Sequence, residues 1–477
     1  MQGFSLRSYQ EELISLIYDE FRKGNKKVLA KLQTGGGKSH TFSKIVDDSF
    51  KNGIYVIICV KRRGLIEQAS KNLDAWKIPH GVHMANHRRF RPKEMVQVCS
   101  IDTLSARSLY PHSDKENVLI IIDEAHDCRP TGKSYVKFMD SYPNAFFAGF
   151  TATPYGDNSL WDCCVSSIEA HELMEQGFLV PASMYVPSAI DVSNVKIKRT
   201  GDYDEKELFK ASSDSKVIGD FVRDWKLYSQ GRPTVLFAVN IEHSMLITEA
   251  FNSAGISAIH ADGSTKQSER IRAIESLVTG KIQVLCNVDI FSTGADIPSV
   301  GCIQICRPTQ SLIWHIQAIG RGLRIAPDIG KKDCRVIDNA GNLLRHGSPY
   351  RVHDVHIGKH PKRDPNEEDV SIRACRRCHF IFESGIKQCP ECDHINPPIE
   401  RKIKHEEGEL VEYNLSPEER DSMDKAMIIQ DVYKLKMVAK RRGMKKNWVY
   451  YKLKDKYGVD KLSKNEHSIH RALNDFN

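Results

Sequence analysis

Leu32-Gln-Thr-Gly-Gly-Gly-Lys-Ser39 decides how this chain is read. It follows the apolar run Lys27-Val-Leu-Ala-Lys-Leu32 and precedes Phe42, Ile45 and Val46 at helical spacing. That order predicts a strand ending at Leu29, a glycine loop, and a helix opening at Lys38. Glycines let the backbone wrap a polyanion without Cβ clashes, and N–H groups at a helix start point toward it. Thr34, Gly35, Gly36 and Gly37 therefore form a phosphate cradle. Lys38 reaches the β- and γ-phosphates, and the Ser39 hydroxyl is a ligand for Mg²⁺. Leu32 stands where the G-x-x-x-x-G-K-[ST] spacing has its first glycine, so the match is partial. A glycine-rich turn before a helix is the plain alternative.

A second motif removes most of that ambiguity. Ile121-Ile-Asp-Glu-Ala-His126 continues the apolar strand Val118 to Ile122. A carboxylate at the end of a buried strand beside the loop can hold Mg²⁺, and its neighbour can orient and deprotonate water. Asp123 is assigned to the metal and Glu124 to the water. The loop still cannot neutralise the charge that builds on a departing γ-phosphate, and a cation must come from elsewhere. Gln317-Ala-Ile-Gly-Arg-Gly-Leu-Arg324 supplies it. Arg321 and Arg324, three apart on a predicted helix, share a face, with Gln317 on the preceding turn. Which arginine acts is open.

Short β-rich runs alternate with helical stretches, first through residue 150 and again from Thr234-Val-Leu-Phe-Ala-Val to Cys302-Ile-Gln-Ile-Cys. The expected fold class is α/β, with two parallel-sheet lobes covered by helices. The expected division is lobe one over 1–160, a linker or insertion over 161–213, and lobe two over 214–345. A linker follows over 346–374, then a cysteine module over 375–395 and a charged helical tail over 396–477. The chain's 477 residues and 40% hydrophobic content allow several cores. No apolar run is long enough to cross a bilayer and the first residues lack a signal peptide's apolar stretch, so a cytoplasmic protein with no membrane partner is expected.

With Thr151-Ala-Thr-Pro154 and Ser292-Thr-Gly-Ala-Asp-Ile-Pro298 added, the motifs stand in an order that resembles superfamily two helicases and translocases. Arg307-Pro-Thr-Gln-Ser311 through Arg324 looks like the bacterial and bacteriophage DNA helicases of that superfamily, whose second lobe resembles restriction-enzyme motor subunits. The resemblance covers about residues 4–340 and implies RecA-like lobes and the DEAH-box type. It implies that Gln10 reads the adenine edge, and that Gly294 and Asp296 contact the ribose. It also implies that Thr151 and Thr153, with His126, link the γ-phosphate state to lobe closure. For one nucleic-acid strand it suggests phosphate contacts by Arg62 and Arg63, by Ser100 and Thr103, and by the His260 to Ser264 segment and Thr293.

Cys375-x2-Cys378 and Cys389-x2-Cys392 form two knuckles separated by ten residues. Four thiolates complete a tetrahedron around Zn²⁺ and leave no open position, so the site is read as structural. A four-iron cluster is the runner-up. The other nine of the thirteen cysteines are scattered, many in apolar runs where a reduced thiol behaves as a small hydrophobe, and the metal pattern of the four fits a reducing compartment better than a disulfide scaffold. From Lys434 to Lys456 there are ten Lys/Arg and one acidic residue, with Trp448, Tyr450 and Tyr451 between them. Such a segment can bind phosphates and stack bases, or it is a solvated basic helix whose aromatics pack inward.

The expected function is an ATP-dependent DNA helicase that uses ATP, Mg²⁺ and Zn²⁺. It acts on single-stranded or branched DNA in replication, recombination or repair, in a bacterial or phage-infected cell, with other proteins of those processes as possible partners. A duplex translocase, an ATP-switched nucleic-acid binder and an RNA helicase remain the alternatives.

Overall fold

A computed structural model describes residues 5–290, 297, 299–350, 355, 357, 372–396, 432, 435 and 446–457, apart from 62, 86, 108, 109, 188 and 200. Seven parallel strands form the first sheet: β1 (Lys27–Lys31), β2 (Tyr55–Val60), β3 (His80–His83), β4 (Val96–Ser100), β5 (Val118–Asp123), β6 (Phe146–Thr151) and β7 (Cys163–Ser166). Their order is β3-β4-β2-β5-β6-β1-β7. The central strands are buried on both faces, as near-continuous runs such as Val56-Ile-Ile-Cys-Val60 require. The helix Ser8–Arg22 covers one face through Tyr9, Leu13, Ile14 and Ile17.

The second sheet has six parallel strands: β8 (Ala182–Tyr185), β9 (Thr234–Phe237), β10 (Ala258–Ala261), β11 (Val284–Asn287), β12 (Cys302–Ile305) and β13 (Cys334–Asp338). Its order is β10-β11-β9-β12-β13-β8. The chain thus has two parallel α/β lobes of the tandem RecA-like kind. Residues 161–213, expected as a linker or insertion, give an edge strand to each sheet, β7 beside β1 and β8 beside β13.

Two details depart from expectation. Strand β1 does not stop at Leu29 but runs through Lys31, because the buried Lys31 Nζ is neutralised at 2.7 Å by both carboxylate oxygens of Glu169. The helix Leu312–Gly320 ends before the arginines, so Arg321 and Arg324 do not share a helical face. Gly322 packs so tightly that a Cβ there would come within 2.5 Å of Cys334 Sγ. The chain turns there, and Arg324 instead forms an antiparallel bridge with Leu179.

A two-stranded antiparallel sheet, β14 (Ile372–Ala374) and β15 (Ile381–Glu383), carries the cysteine module. The module lies on the edge strand of lobe two: Val186 N donates to His379 O at 3.0 Å, and the Tyr185 hydroxyl donates to Glu391 Oε1 at 2.9 Å. Within the separate unit Glu400–Asn477, the helix Lys446–Tyr457 buries Val449 and Leu453, one turn apart, and exposes Tyr451. Among the described residues no helix is long and apolar enough to cross a membrane.

Candidate active site and metal centre

The loop between β1 and the helix Lys38–Lys51 opens into a cavity of about 540 Å³. Lobe one lines it with Gln10, Thr34, Gly35, Gly37, Lys38, Ser39, Asp123 and Glu124, and lobe two with Arg321 and Arg324. The lobes meet closely here, since a Cβ on Gly320 would come within 3.0 Å of the Thr34 Cβ. Gly35 has φ +88 and Gly37 φ +85, so the loop uses the left-handed backbone that glycine tolerates. Gln10 fixes the loop from behind: its Nε2 donates to Gly36 O at 3.0 Å while its Oε1 accepts from Arg7 N at 3.0 Å.

Strand β5 delivers the two acids. Glu124 sits in the left-handed region at φ 52, a cost of order 1–3 kcal/mol for a residue with a side chain. That turn brings its Oε1 to 3.8 Å from Lys38 Nζ. Burial pushes the Asp123 carboxyl up, and its neighbour Glu124 pushes it further. Burial acts upward on Glu124 too, but Lys38, His126 and Arg321 outweigh it and hold the group below its ordinary value. The two acids are thus pushed apart, Asp123 upward and Glu124 downward. His126, lowered by burial, brings its Nδ1 to 3.1 Å from Thr151 Oγ1, and that oxygen accepts from Thr153 N at 3.0 Å.

Three buried polar atoms in this group have no hydrogen-bond partner: Glu124 Oε2, Thr153 Oγ1 and Gln317 Nε2. Burying such groups unpaired costs about 1–3 kcal/mol each. Of the three residues only Glu124 lines the cavity, where its Oε2 lies 3.4 Å from His126 Nδ1; Thr153 and Gln317 are not among the lining residues. The cavity's donor set suits a polar ligand. Hydroxyl and carboxylate oxygens of Ser39 and Asp123 suit a hard cation such as Mg²⁺, and Lys38 with the loop N–H groups suits phosphates.

Some cavity residues carry no motif. Arg7 lines it and lays its guanidinium 4.0 Å from the Phe178 ring centroid. Gln68 and Asn72, one turn apart on the helix Arg63–Ala75, line it as well. Arg7 lies three residues before Gln10 and could have been picked out by that adjacency, whereas nothing local marks Phe178.

The track residues fare unevenly. Ser100 Oγ accepts from Thr103 N at 3.4 Å, capping the helix Ile101–Arg107. His260 bridges Ser244 Oγ at 2.7 Å and Asp262 Oδ2 at 3.1 Å, while Ser264 Oγ donates to Asp262 Oδ1 at 2.7 Å. Arg62, Thr293, Gly294 and Asp296 lie outside the described residues, as do the side chains of Arg63 and Trp448.

Cys375, Cys378, Cys389 and Cys392 converge, every Sγ within 4.8 Å of the others. The Cys375–Cys392 and Cys378–Cys389 sulfur separations are 3.7 and 3.6 Å. A tetrahedron with Zn–S bonds of about 2.3 Å has edges of about 3.8 Å, so the spacing fits zinc. The knuckles are built alike: His379 N donates to Cys375 O at 3.0 Å and Asp393 N to Cys389 O at 2.9 Å. His379 and Asp393 both take positive φ, 58 and 59.

Both lobes match known families. Residues 3–156 match the family "Type III restriction enzyme, res subunit" and residues 217–326 the family "Helicase conserved C-terminal domain". A 51.5 kDa protein of a Lactococcus phage is 28% identical over 424 residues, covering 87% of this chain and 86% of that protein. "Putative ATP-dependent helicase IRC3" of Saccharomyces cerevisiae is 29% identical over 360 residues, 70% of this chain and 51% of that protein. This chain therefore spans most of the phage protein but about half of the yeast one. The fold is similar to a fragment of an HsdR subunit of a type I restriction enzyme from Vibrio vulnificus, with TM-score 0.55, 16% identity, and coverage of 72% and 66% of the two chains. It is likewise similar to the Type ISP restriction-modification enzyme LlaBIII, with TM-score 0.54, 17% identity, and coverage of 71% and 28%.

Fold, cavity and both family matches define an ATP-hydrolysing nucleic-acid motor. Residues 3–156 and 217–326 thus match two domains of the superfamily-two helicase kind, the first of restriction-enzyme type, and such domains hydrolyse ATP with Mg²⁺.

Proposed function

We propose that this protein is an ATP-dependent DNA helicase of the DEAH-box type, which couples hydrolysis at the lobe junction to translocation and strand separation or branch migration. The observation that carries this reading is the convergence on one cavity of Lys38, Asp123 and Glu124 from lobe one with Arg321 and Arg324 from lobe two. In it Lys38 and the loop N–H groups hold the β- and γ-phosphates, Ser39 and Asp123 hold Mg²⁺, and Gln10 reads the adenine. Bound Mg²⁺ supplies charge neutralisation between the phosphates. Glu124 orients the attacking water and takes its proton. Arg321, Arg324 and Gln317 meet the charge that develops at the γ-phosphate. His126, Thr151 and Thr153 pass that state to the lobes.

Phosphate contacts by strand-end residues suit a motor that must pass over any sequence. Separating duplex costs about 1.4 kcal/mol per base-pair step, which repeated hydrolysis can drive. We assign zinc to the four cysteines as a structural ion, since four thiolates leave no open position. The phage relative favours a phage or bacterial setting. Action in replication, recombination or repair is part of the same proposal. The restriction-enzyme matches favour a second reading, a duplex translocase that leaves the strands paired.

The deciding experiment measures ATP turnover with single-stranded DNA, duplex, forked DNA and RNA, beside a strand-displacement assay. Strand separation on forked DNA supports the helicase. Turnover stimulated by duplex with no displacement selects the translocase, and stimulation by RNA alone overturns both.

A further inference from the structure

The segment Ser167–Val180 leaves lobe one by a route that touches successive parts of the nucleotide cavity. Ser167 Oγ donates to Tyr9 O at 2.7 Å, beside Gln10. Glu169 neutralises Lys31 at the end of the strand that feeds the phosphate loop. Phe178 carries the Arg7 guanidinium on its ring and packs at 5.5 Å from Tyr9, whose hydroxyl donates to Gly36 O at 2.9 Å. Val180 N then donates to Leu323 O at 2.9 Å, and the chain enters β8, the edge strand of lobe two.

Leu179 stands at the centre of this route. It is 3% exposed. Its Cδ2 lies 2.7 Å from the point a Cβ would occupy on Gly35, and Arg324 Cγ lies 3.6 Å from that same point. Its backbone pairs with Arg324 in an antiparallel bridge. The Leu179 side chain and the Arg324 stem thus crowd the same point beside Gly35, and the two residues pair through their backbones. Packed interiors do not deform continuously, so a shift of the loop at Gly35 must displace Leu179, and its backbone pairing carries that shift to the arginine turn.

We infer that Leu179 is a positioning residue for ATP hydrolysis, transmitting the state of the phosphate loop at Gly35 to Arg324. The inference rests on the proposed role of Arg324 at the γ-phosphate. It goes beyond that role by placing the link between lobes in the connecting segment, outside every recognised motif.

A double-substitution cycle on the full-length chain tests it, reading kcat and KM for ATP with saturating single-stranded DNA. Leu179→Ala should lower kcat about tenfold while KM stays within about twofold, and the shape-conserving Leu179→Met should restore most of the rate. In an Arg324→Ala background, Leu179→Ala should cause little further loss, because the residue acts through that arginine. If Leu179→Ala does not fold, the milder Leu179→Val replaces it in the same cycle. An impaired Arg324→Ala whose loss multiplies with that of the Leu179 variant would overturn this inference alone. Arg324→Ala turning over at the parental rate would overturn the arginine assignment and this inference with it.

Discussion

Lys38 Nζ lies 3.8 Å from Glu124 Oε1, joining the loop after β1 to the end of β5 across the mouth of the cavity. The pair is part-buried, and Lys38 helps hold the Glu124 carboxyl below its ordinary value at the proposed site for phosphates and water. Lys38→Ala removes the cation proposed for the phosphates and Glu124→Gln the proposed base. Both should cut ATP turnover by about a hundredfold or more. DNA binding, measured by fluorescence anisotropy, should persist, because the proposed DNA contacts come from other loops. A Glu124→Gln protein with the parental turnover would remove Glu124 from that role.

Thr151 Oγ1 serves two neighbours, His126 Nδ1 and Thr153 N. Thr151→Val keeps the volume and leaves both without that partner, at about 1–3 kcal/mol for a buried polar group. Strand displacement per ATP hydrolysed should fall several-fold. Unchanged displacement per ATP would show that this network only braces the strand end.

The sulfur tetrahedron predicts one zinc per chain by metal analysis of the purified protein. Cys389→Ser should release it and loosen the amides of residues 372–396 to hydrogen exchange, since so small a module depends on its metal for folding energy. ATP turnover by the two lobes should continue. Iron in place of zinc would select the cluster alternative.

His243 is fully buried between the rings of Phe209 and Phe221, and its Nδ1 accepts from Val239 N at 3.2 Å. Burial pulls it down to about 4 from an ordinary value of 6.5. The folded-state value is depressed, so between those two values the unfolded chain binds the extra proton. Stability is thus complete above 6.5 and declines as pH falls toward 4, by at most about 1.4 kcal/mol per pH unit. His243→Gln should flatten the fall in urea midpoint between pH 6.5 and 4.5. An identical pH dependence in both proteins would show that His243 does not titrate on unfolding.

The phosphate loop and the Asp123-Glu124 pair were legible because strand, loop and helix are local, and each announces itself in a few consecutive residues. The lobes were legible for the same reason, through runs such as Val118 to Ile122. Strands β7 and β8 were not. Cys163-Cys-Val-Ser166 and Ala182-Ser-Met-Tyr185 are short edge strands with partly exposed residues, and only pairing with β1 and β13 makes them strands. The arginine turn misled because its spacing suits a helix. The close packing of Gly322 on Cys334 and Ile303 is set by strands that no local pattern places beside it. Phe178 and Leu179 reach the site only through tertiary contacts with Arg7, Gly35 and Arg324.

The central claim is that one ATP site is completed by residues from both lobes. The most direct measurement is kcat for DNA-stimulated ATP hydrolysis by Arg321→Ala and by Arg324→Ala, beside nucleotide affinity from a fluorescent ATP analogue. A cation that acts mainly on transition-state charge should cost kcat about 10²-fold or more while affinity changes by only a few-fold. Parental kcat in both variants would contradict the account, since lobe one alone would then carry the chemistry.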